Sequence, residues 1–420
     1  QMEVIAALIR ADPTSASYVD EQDNLPIHYI CERENTPLDV IRTVFRAYPG
    51  CLSVKDKDGN TPLHSAVETL SGNKVEQVVN MFLDESTKCA EIQDKDGNMA
   101  LHSACECRKP SSKVILRLIQ ANPKALKKRD KEGNLPLHSA LELGDVIEPD
   151  VIKVMIDTYP GAVKIKDKEK NTPLHSAVEN MRKFASAVVD MLLQADPGNY
   201  AVKQRDTEGN LAIHSACEHP RPTNDVILKL IEHYPDGLKK KDKDGNLAIH
   251  SACENNEPND KVILKMMELY PGSLKTKDKD GNLAIHSLSE NTKQMENRDK
   301  VILTMIDLNP DSLRQKDKDG NTPLHSFIEN PSQINNREKV IGVMVKEYEG
   351  ALAKKDKDGN LPIHSALAQG KKISIEGIKA LLVNRESLLK PNPRGNIPFH
   401  QAFNMAGKKL DDKAQAILYC

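Results

Sequence analysis

Tryptophan is absent from the 420 residues, and aromatic side chains of all kinds make up only 4 %. Large aromatic anchor pockets are therefore not expected. No run of about 18 or more apolar residues occurs, so nothing in the sequence reads as a membrane-spanning helix. The opening residues lack the pattern of a secretory signal. Charge of one sign is not in surplus either. There are 59 basic against 61 acidic side chains, a formal net charge of −2, so no global field steers the chain toward nucleic acid or acidic lipid. Glycine-rich phosphate loops, a nucleophile elbow and an ordered Ser/His/Asp set are all missing. The eight cysteines are irregularly spaced in a large chain, which reads as reduced thiols in an intracellular, by expectation cytoplasmic, setting.

What is present is repetition. His28, His64, His102, His138, His175, His214, His250, His286, His325, His364 and His400 follow one another at spacings of 36 to 39 residues. Repeats beginning near 20, 56, 94, 130, 167, 206, 242, 278, 317, 356 and 392 account for the whole chain, with residues 1–19 read as the tail of a preceding repeat. Each part of the phrase has a physical reading. Asp317 to Asn321 is turn chemistry, with Gly320 free to take positive φ and Asp or Asn bonding nearby amides. Thr322 is placed as an N-cap and Pro323 at the first helical position. Leu324, Phe327 and Ile328 supply the apolar face of a short helix. After a polar loop, Val301, Ile302, Met305, Ile306 and Leu308 mark the apolar side of a longer helix in the preceding repeat. That helix is expected to stop at Asn309-Pro310, and a short extended stretch from Ser312 to Lys316 to lead into the next turn. Neither helix can bury its face alone, so the repeats must stack.

The phrase Asp-x-Asp-Gly-Asn-Thr-Pro-Leu-His-Ser-Ala, as at Asp56 to Ala66, resembles the ankyrin repeat, and the resemblance covers essentially the whole chain. It implies an all-α solenoid of about eleven stacked helix-turn-helix units joined by short finger loops, in one array over residues 1–420. The period exceeds the usual 33 residues or so, with most of the excess between the two helices. Tyr-Pro-Gly-x-Leu-Lys, as at Tyr270 to Lys275, replaces the usual finger sequence. This dialect is similar to ankyrin arrays of diatoms and related algae. The terminal repeats differ: Asp20 to Asn24 lacks the turn glycine, and Asn392 to Asn396 replaces both acids and adds Pro393.

Several patterns imitate chemistry. Stacked helices sit about 8–10 Å apart, too far for equivalent histidines to share an ion whose Zn–N bonds are about 2.0–2.1 Å. The resemblance gives this histidine a structural role, tying down the turn before the first helix. A calcium loop needs ligands at positions 1, 3 and 5, glycine at 6 and glutamate at 12, whereas here glycine follows the first Asp by three places. Cys31, Cys105, Cys217 and Cys253 share one repeat position suited to core packing, and the other thiols read as unpaired. His-Ser neighbours lie at consecutive helix positions and face different ways. No metal, cofactor or catalytic residue is expected.

The resemblance places partner contacts on the finger tips and first helices, along a concave groove. Lys55, Arg129, Lys166, Arg205, Lys241, Lys277, Lys316 and Lys355 stand just before the turns. Lys57, Lys95, Lys131, Lys243, Lys279, Lys318 and Lys357 stand between the acids. A glutamate follows the histidine by four in nine repeats, among them Glu218, Glu254 and Glu290. The candidate contact set is Lys131, Lys166, Lys241, Lys243, Lys277, Lys279, Lys316, Lys318, Lys355, Glu218, Glu254 and Glu290. Two readings of this uniform face stand side by side: ion-pair ladders between repeats, each exposed pair worth about 0–1 kcal/mol, or a periodic or extended partner, such as a filament, read by the same residues again and again. Nucleic acid fits less well, since acids alternate with the lysines and no aromatics interleave them. The expectation is a non-enzymatic scaffold or assembly subunit that binds protein. Its rival is the targeting or regulatory arm of an enzyme whose catalytic domain lies outside the segment.

Overall fold

The computed structural model describes residues 2–406 apart from 222, 331, 333 and 370–372. The apolar pattern at Ala414, Ile417 and Leu418, and Cys420, lie outside them. The described residues are helical and turn throughout, with one isolated bridge, Gln93 to Met99, and no strand. They fall into two compact units, residues 1–207 and 208–420.

Unit 1 holds α1 (Met2–Ala11), α2 (Pro26–Cys31), α3 (Leu38–Ala47), α4 (Pro62–Thr69), α5 (Gly72–Glu85), α6 (Ala100–Glu106), α7 (Ser112–Ala121), α8 (Pro136–Glu142), α9 (Pro149–Thr158), α10 (Pro173–Asn180) and α11 (Ala185–Gln194). Unit 2 holds α12 (Ala212–Glu218), α13 (Asn224–His233), α14 (Ala248–Glu254), α15 (Asp260–Leu269), α16 (Ala284–Glu290), α17 (Arg298–Leu308), α18 (Pro323–Glu329), α19 (Arg337–Glu347), α20 (Pro362–Ala368), α21 (Ile375–Leu381) and α22 (Pro398–Ala406). Within each unit the short first helices pack on one another in order, and the second helices do the same behind them. Each unit is thus an ankyrin-type stack of helix pairs, with every pair completing the core of its neighbour.

The core follows the repeat. Leu324, Phe327 and Ile328 on α18 are at most 1 % exposed, as are Val301, Ile302 and Met305 on α17, with Ile306 at 2 %. Burying side chains of this size contributes roughly 1.5–3 kcal/mol each. Leu308 departs from the expected stripe and is 42 % exposed. It lies two residues beyond Ile306, about 200° round a helix, and so points away from the partner layer.

The turn before each first helix is built by its leading Asp. Asp317 Oδ1 accepts from the Asn321 amide at 2.8 Å, while the Asp317 amide donates to the Asn321 carbonyl at 3.1 Å. The fourth position has positive φ throughout, and at Gly59 (φ +85°) a Cβ would stand 2.6 Å from the Lys95 amide of the next finger. The first repeat and the fifth place Asp23 (φ +59°) and Lys170 (φ +66°) there instead. Successive fingers up to the one at Asp356 are joined by one backbone bond each, such as Lys279 N–H to the Asp244 carbonyl at 3.1 Å and Lys357 N–H to the Asp319 carbonyl at 2.9 Å, whereas Pro393 in the last finger has no N–H to give.

The segment read as extended from Ser312 to Lys316 begins instead as a 3₁₀ turn, Pro310–Arg314. Proline sets φ near −65°, Ser312 N–H reaches the Asn309 carbonyl at 3.0 Å, and the turn delivers Leu313 into the core at 2 % exposure. The Tyr-Pro-Gly wording has a packing cause. The tyrosine ring folds over the residue two places on, so a Cβ at Gly272 would meet the Tyr270 ring at 2.8 Å and one at Gly350 the Tyr348 ring at 2.6 Å. Where asparagine replaces tyrosine, the glycine is gone too, as in Asn122-Pro123-Lys124 and Asn309-Pro310-Asp311. These asparagines reach back one repeat instead, Asn122 Nδ2 to the Ala90 carbonyl at 2.9 Å and Asn309 Nδ2 to the Leu274 carbonyl at 2.8 Å.

Candidate partner-binding face

The repeated histidine stands at the third position of the first helix, and its ring closes the helix start. In ten repeats Nδ1 accepts a hydrogen bond from the backbone N–H of the residue before the helix, at 3.0 to 3.3 Å. This reverses the expected cap. The hydroxyls of Thr61, Thr172 and Thr322 turn to the same Nδ1 at 2.9 Å and do not cap the helix amides. An accepting Nδ1 leaves the ring proton on Nε2. That proton is donated to a carbonyl in the next turn or in the stretch just before it: Asn98 from His64 at 3.3 Å, Thr276 from His250 at 3.0 Å, Gln315 from His286 at 3.3 Å. The rings are essentially fully buried. Burial pushes His28, His64, His102, His250, His286 and His364 below the usual imidazole range, and His138 and His325 down to about 4. Where both nitrogens are committed to backbone, as in His64, the neutral ring joins one repeat to the next.

The lysine rows are also committed between repeats. Those standing before the turns reach the carbonyl of the equivalent residue one repeat on: Lys166 Nζ to Arg205 at 3.0 Å, Lys241 to Lys277 at 2.9 Å, Lys277 to Lys316 at 3.2 Å, and Lys316 to Lys355 at 2.7 Å. Lys355 is an exposed member of the same row. Lysines between the acids pair with the third turn residue of the preceding finger. Lys131 meets Asp96, Lys243 meets Glu208 at 3.3 Å, Lys279 meets Asp244 at 2.6 Å, Lys318 meets Asp280 at 2.8 Å, and Lys357 meets Asp319 at 3.0 Å. The tips are therefore close to neutral, finger by finger.

The glutamates behave differently from the ladder expected of them. Serine hydroxyls from the next repeat donate to them: Ser251 to Glu218 at 3.3 Å, Ser287 to Glu254, Ser326 to Glu290 and Ser365 to Glu329 at 2.8 Å. The carboxyls of Glu254, Glu290 and Glu329 lie above the usual range, first through burial and then through neighbouring Asp side chains, with the serine bond opposing the shift. Glu142 is pushed up to about 7, by burial and then by Asp167 and Glu106.

Serine after histidine is thus a cross-repeat donor, and neither nucleophile nor base is assembled from the pair. The contacting Asn row in unit 2 was not read from the sequence. Asn255, Asn291 and Asn330 each donate to two carbonyls of the preceding repeat at 2.6 to 2.8 Å, closing the end of its first helix. Their shared spacing of five from the histidine is the signal that could have found them. Cys31, Cys105, Cys217 and Cys253 are buried and unpaired, their thiols pushed up by burial.

No family model matches the chain, and no curated protein matches it. Among solved structures it is similar to the ankyrin repeat domain of Bcl-3, described as a unique member of the IkappaB protein family, at 18 % identity and a TM-score of 0.41, over 59 % of this chain and 100 % of that one. The ankyrin-type fold of the two units is evident from their own repeat geometry, in which turn, histidine-locked first helix, second helix and 3₁₀ turn recur in order.

Proposed function

We propose that the chain is a protein-interaction scaffold that binds partner proteins along the face built by its fingers and first helices. The observation that supports this most is the division of labour among the repeated side chains. Histidine, serine, asparagine and most lysines are spent joining one repeat to the next, so the stack holds itself together and presents a regular polar face. The candidate residues Lys131, Lys166, Lys241, Lys243, Lys277, Lys279, Lys316, Lys318, Lys355, Glu218, Glu254 and Glu290 all lie on finger or first-helix positions. Rigid stacks of this kind suit extended contact surfaces.

Photo-cross-linking side chains placed at Lys243, Lys279 and Lys318 test the reading against the same groups at Lys261 and Lys300 on second helices. Partner cross-links should concentrate at the finger positions. Cross-links that favour the second helices or the inter-helix loops would sink the proposal.

A further inference from the structure

The first-helix face of unit 2 carries charge that its own lysines do not answer. Among the described residues no ammonium lies within ion-pair distance of Glu254, Glu290 or Glu329, because the finger lysines are held by Asp244, Asp280, Asp319 and backbone carbonyls. Each of these glutamates has one oxygen fixed by a serine of the next repeat at 2.8 Å. The row is therefore held in place, one carboxylate per repeat. Between two of its members opens a cleft of about 350 Å³, lined by Glu290, Asp319, Asn321, Glu329, Asp358 and Asn360 together with Lys357, whose ammonium is held by Asp319.

Spacing and lining select the occupant. Packed helices stand about 8–10 Å apart, which sets the distance from one carboxylate to the next. A polyproline-like chain rises about 3.1 Å per residue with three residues per turn. Every third side chain then falls on one face, about 9.3 Å from the last. Such a chain has no internal hydrogen bonds, and its backbone groups need partners of the kind offered by Asn321 and Asn360 at the cleft wall. A helix satisfies its own backbone and gains nothing from them.

Resting on the scaffold reading, we infer that the first-helix face of unit 2 takes an extended basic segment, polyproline-like in conformation, with Lys or Arg at every third residue. The cationic side chains meet Glu254, Glu290 and Glu329 in register, and the chain between them lies along the cleft.

Fluorescence anisotropy with the full chain and a labelled Pro-Pro-Lys repeat peptide is the test. A peptide of the same composition with its lysines clustered, and a helical peptide with lysine at every seventh residue, serve as competitors. The every-third peptide should bind at least about tenfold tighter than either, and less tightly as salt rises. The variant E254Q/E290Q/E329Q should weaken it by about tenfold or more, while D307N/E338Q on the second helices leaves it unchanged. Equal binding of the clustered peptide, tighter binding of the helical one, or no binding at all overturns the inference. The peptide ranking is measured on the unsubstituted chain, so it stands even if the triple variant does not fold. Finger-directed cross-links to a non-basic partner would overturn this inference while leaving the scaffold reading intact.

Discussion

At the scale of the residue, histidine carries the largest share of the explanation. His286 accepts from Leu283 N–H at 3.1 Å and faces the Gln315 carbonyl at 3.3 Å, with its ring fully buried. H286A orphans a buried amide and opens a cavity, so chemical denaturation should show a loss of about 2–4 kcal/mol. The histidines also set the pH response. Their folded values lie below the unfolded 6.5, so the stability they contribute is complete above that value and falls as pH drops toward about 4. His138 alone accounts for a loss on the order of 3 kcal/mol across that window. The raised glutamates act in the opposite direction, favouring the fold at low pH and less as pH rises through about 7 for Glu142. Their carboxyls are only partly buried and the side chains reach solvent, which screens them, so the fully buried rings win. The thermal midpoint should therefore fall steadily between pH 7 and pH 4. Lys170, held at φ +66°, is a local weakness, and K170G should stabilise by about 1 kcal/mol in the same assay.

At the scale of the element, the segment between second helix and finger shows what a short motif encodes. Tyr270 and Gly272 are one device, because the ring occupies the space that a Cβ would need. G272A should cost about 1–2 kcal/mol. In the Y270N background it should cost much less, giving a coupling of at least about 1 kcal/mol in a double-mutant cycle. Equal costs in both backgrounds would remove this account. The first helix was legible because turn, proline and histidine stand in fixed order with local causes. The 3₁₀ turn was misread as extended, because what curls it is Leu313 reaching a core that the local sequence does not display. The serine-to-glutamate bonds were hidden for a similar reason, since the partners lie 33 to 36 residues apart.

At the scale of the molecule, each repeat contacts chiefly its neighbours, so repeats are exchangeable in a way that globular segments are not. Deleting residues 242–277 joins Lys241 to Asp278, which restores the Lys-Asp order found at both of the original junctions, Lys241-Asp242 and Lys277-Asp278. The shortened chain should keep its helical circular dichroism per residue and unfold at a lower midpoint, having lost one repeat and one interface. Loss of helical signal would show that the stack is not modular.

The sequence by itself determined the unit of construction. Period, turn chemistry, helix starts and the apolar stripes all follow from rules that act over a few residues, and eleven copies of one phrase made them readable. Only the tertiary structure decided what the repeated polar residues do. Whether Lys277 meets solvent, a partner or the Lys316 carbonyl, and whether Glu290 pairs with an ammonium or with Ser326, depends on what the next repeat places opposite them once stacked. Stacking turns residues some 36 apart in the chain into immediate neighbours, and no local propensity records that distance.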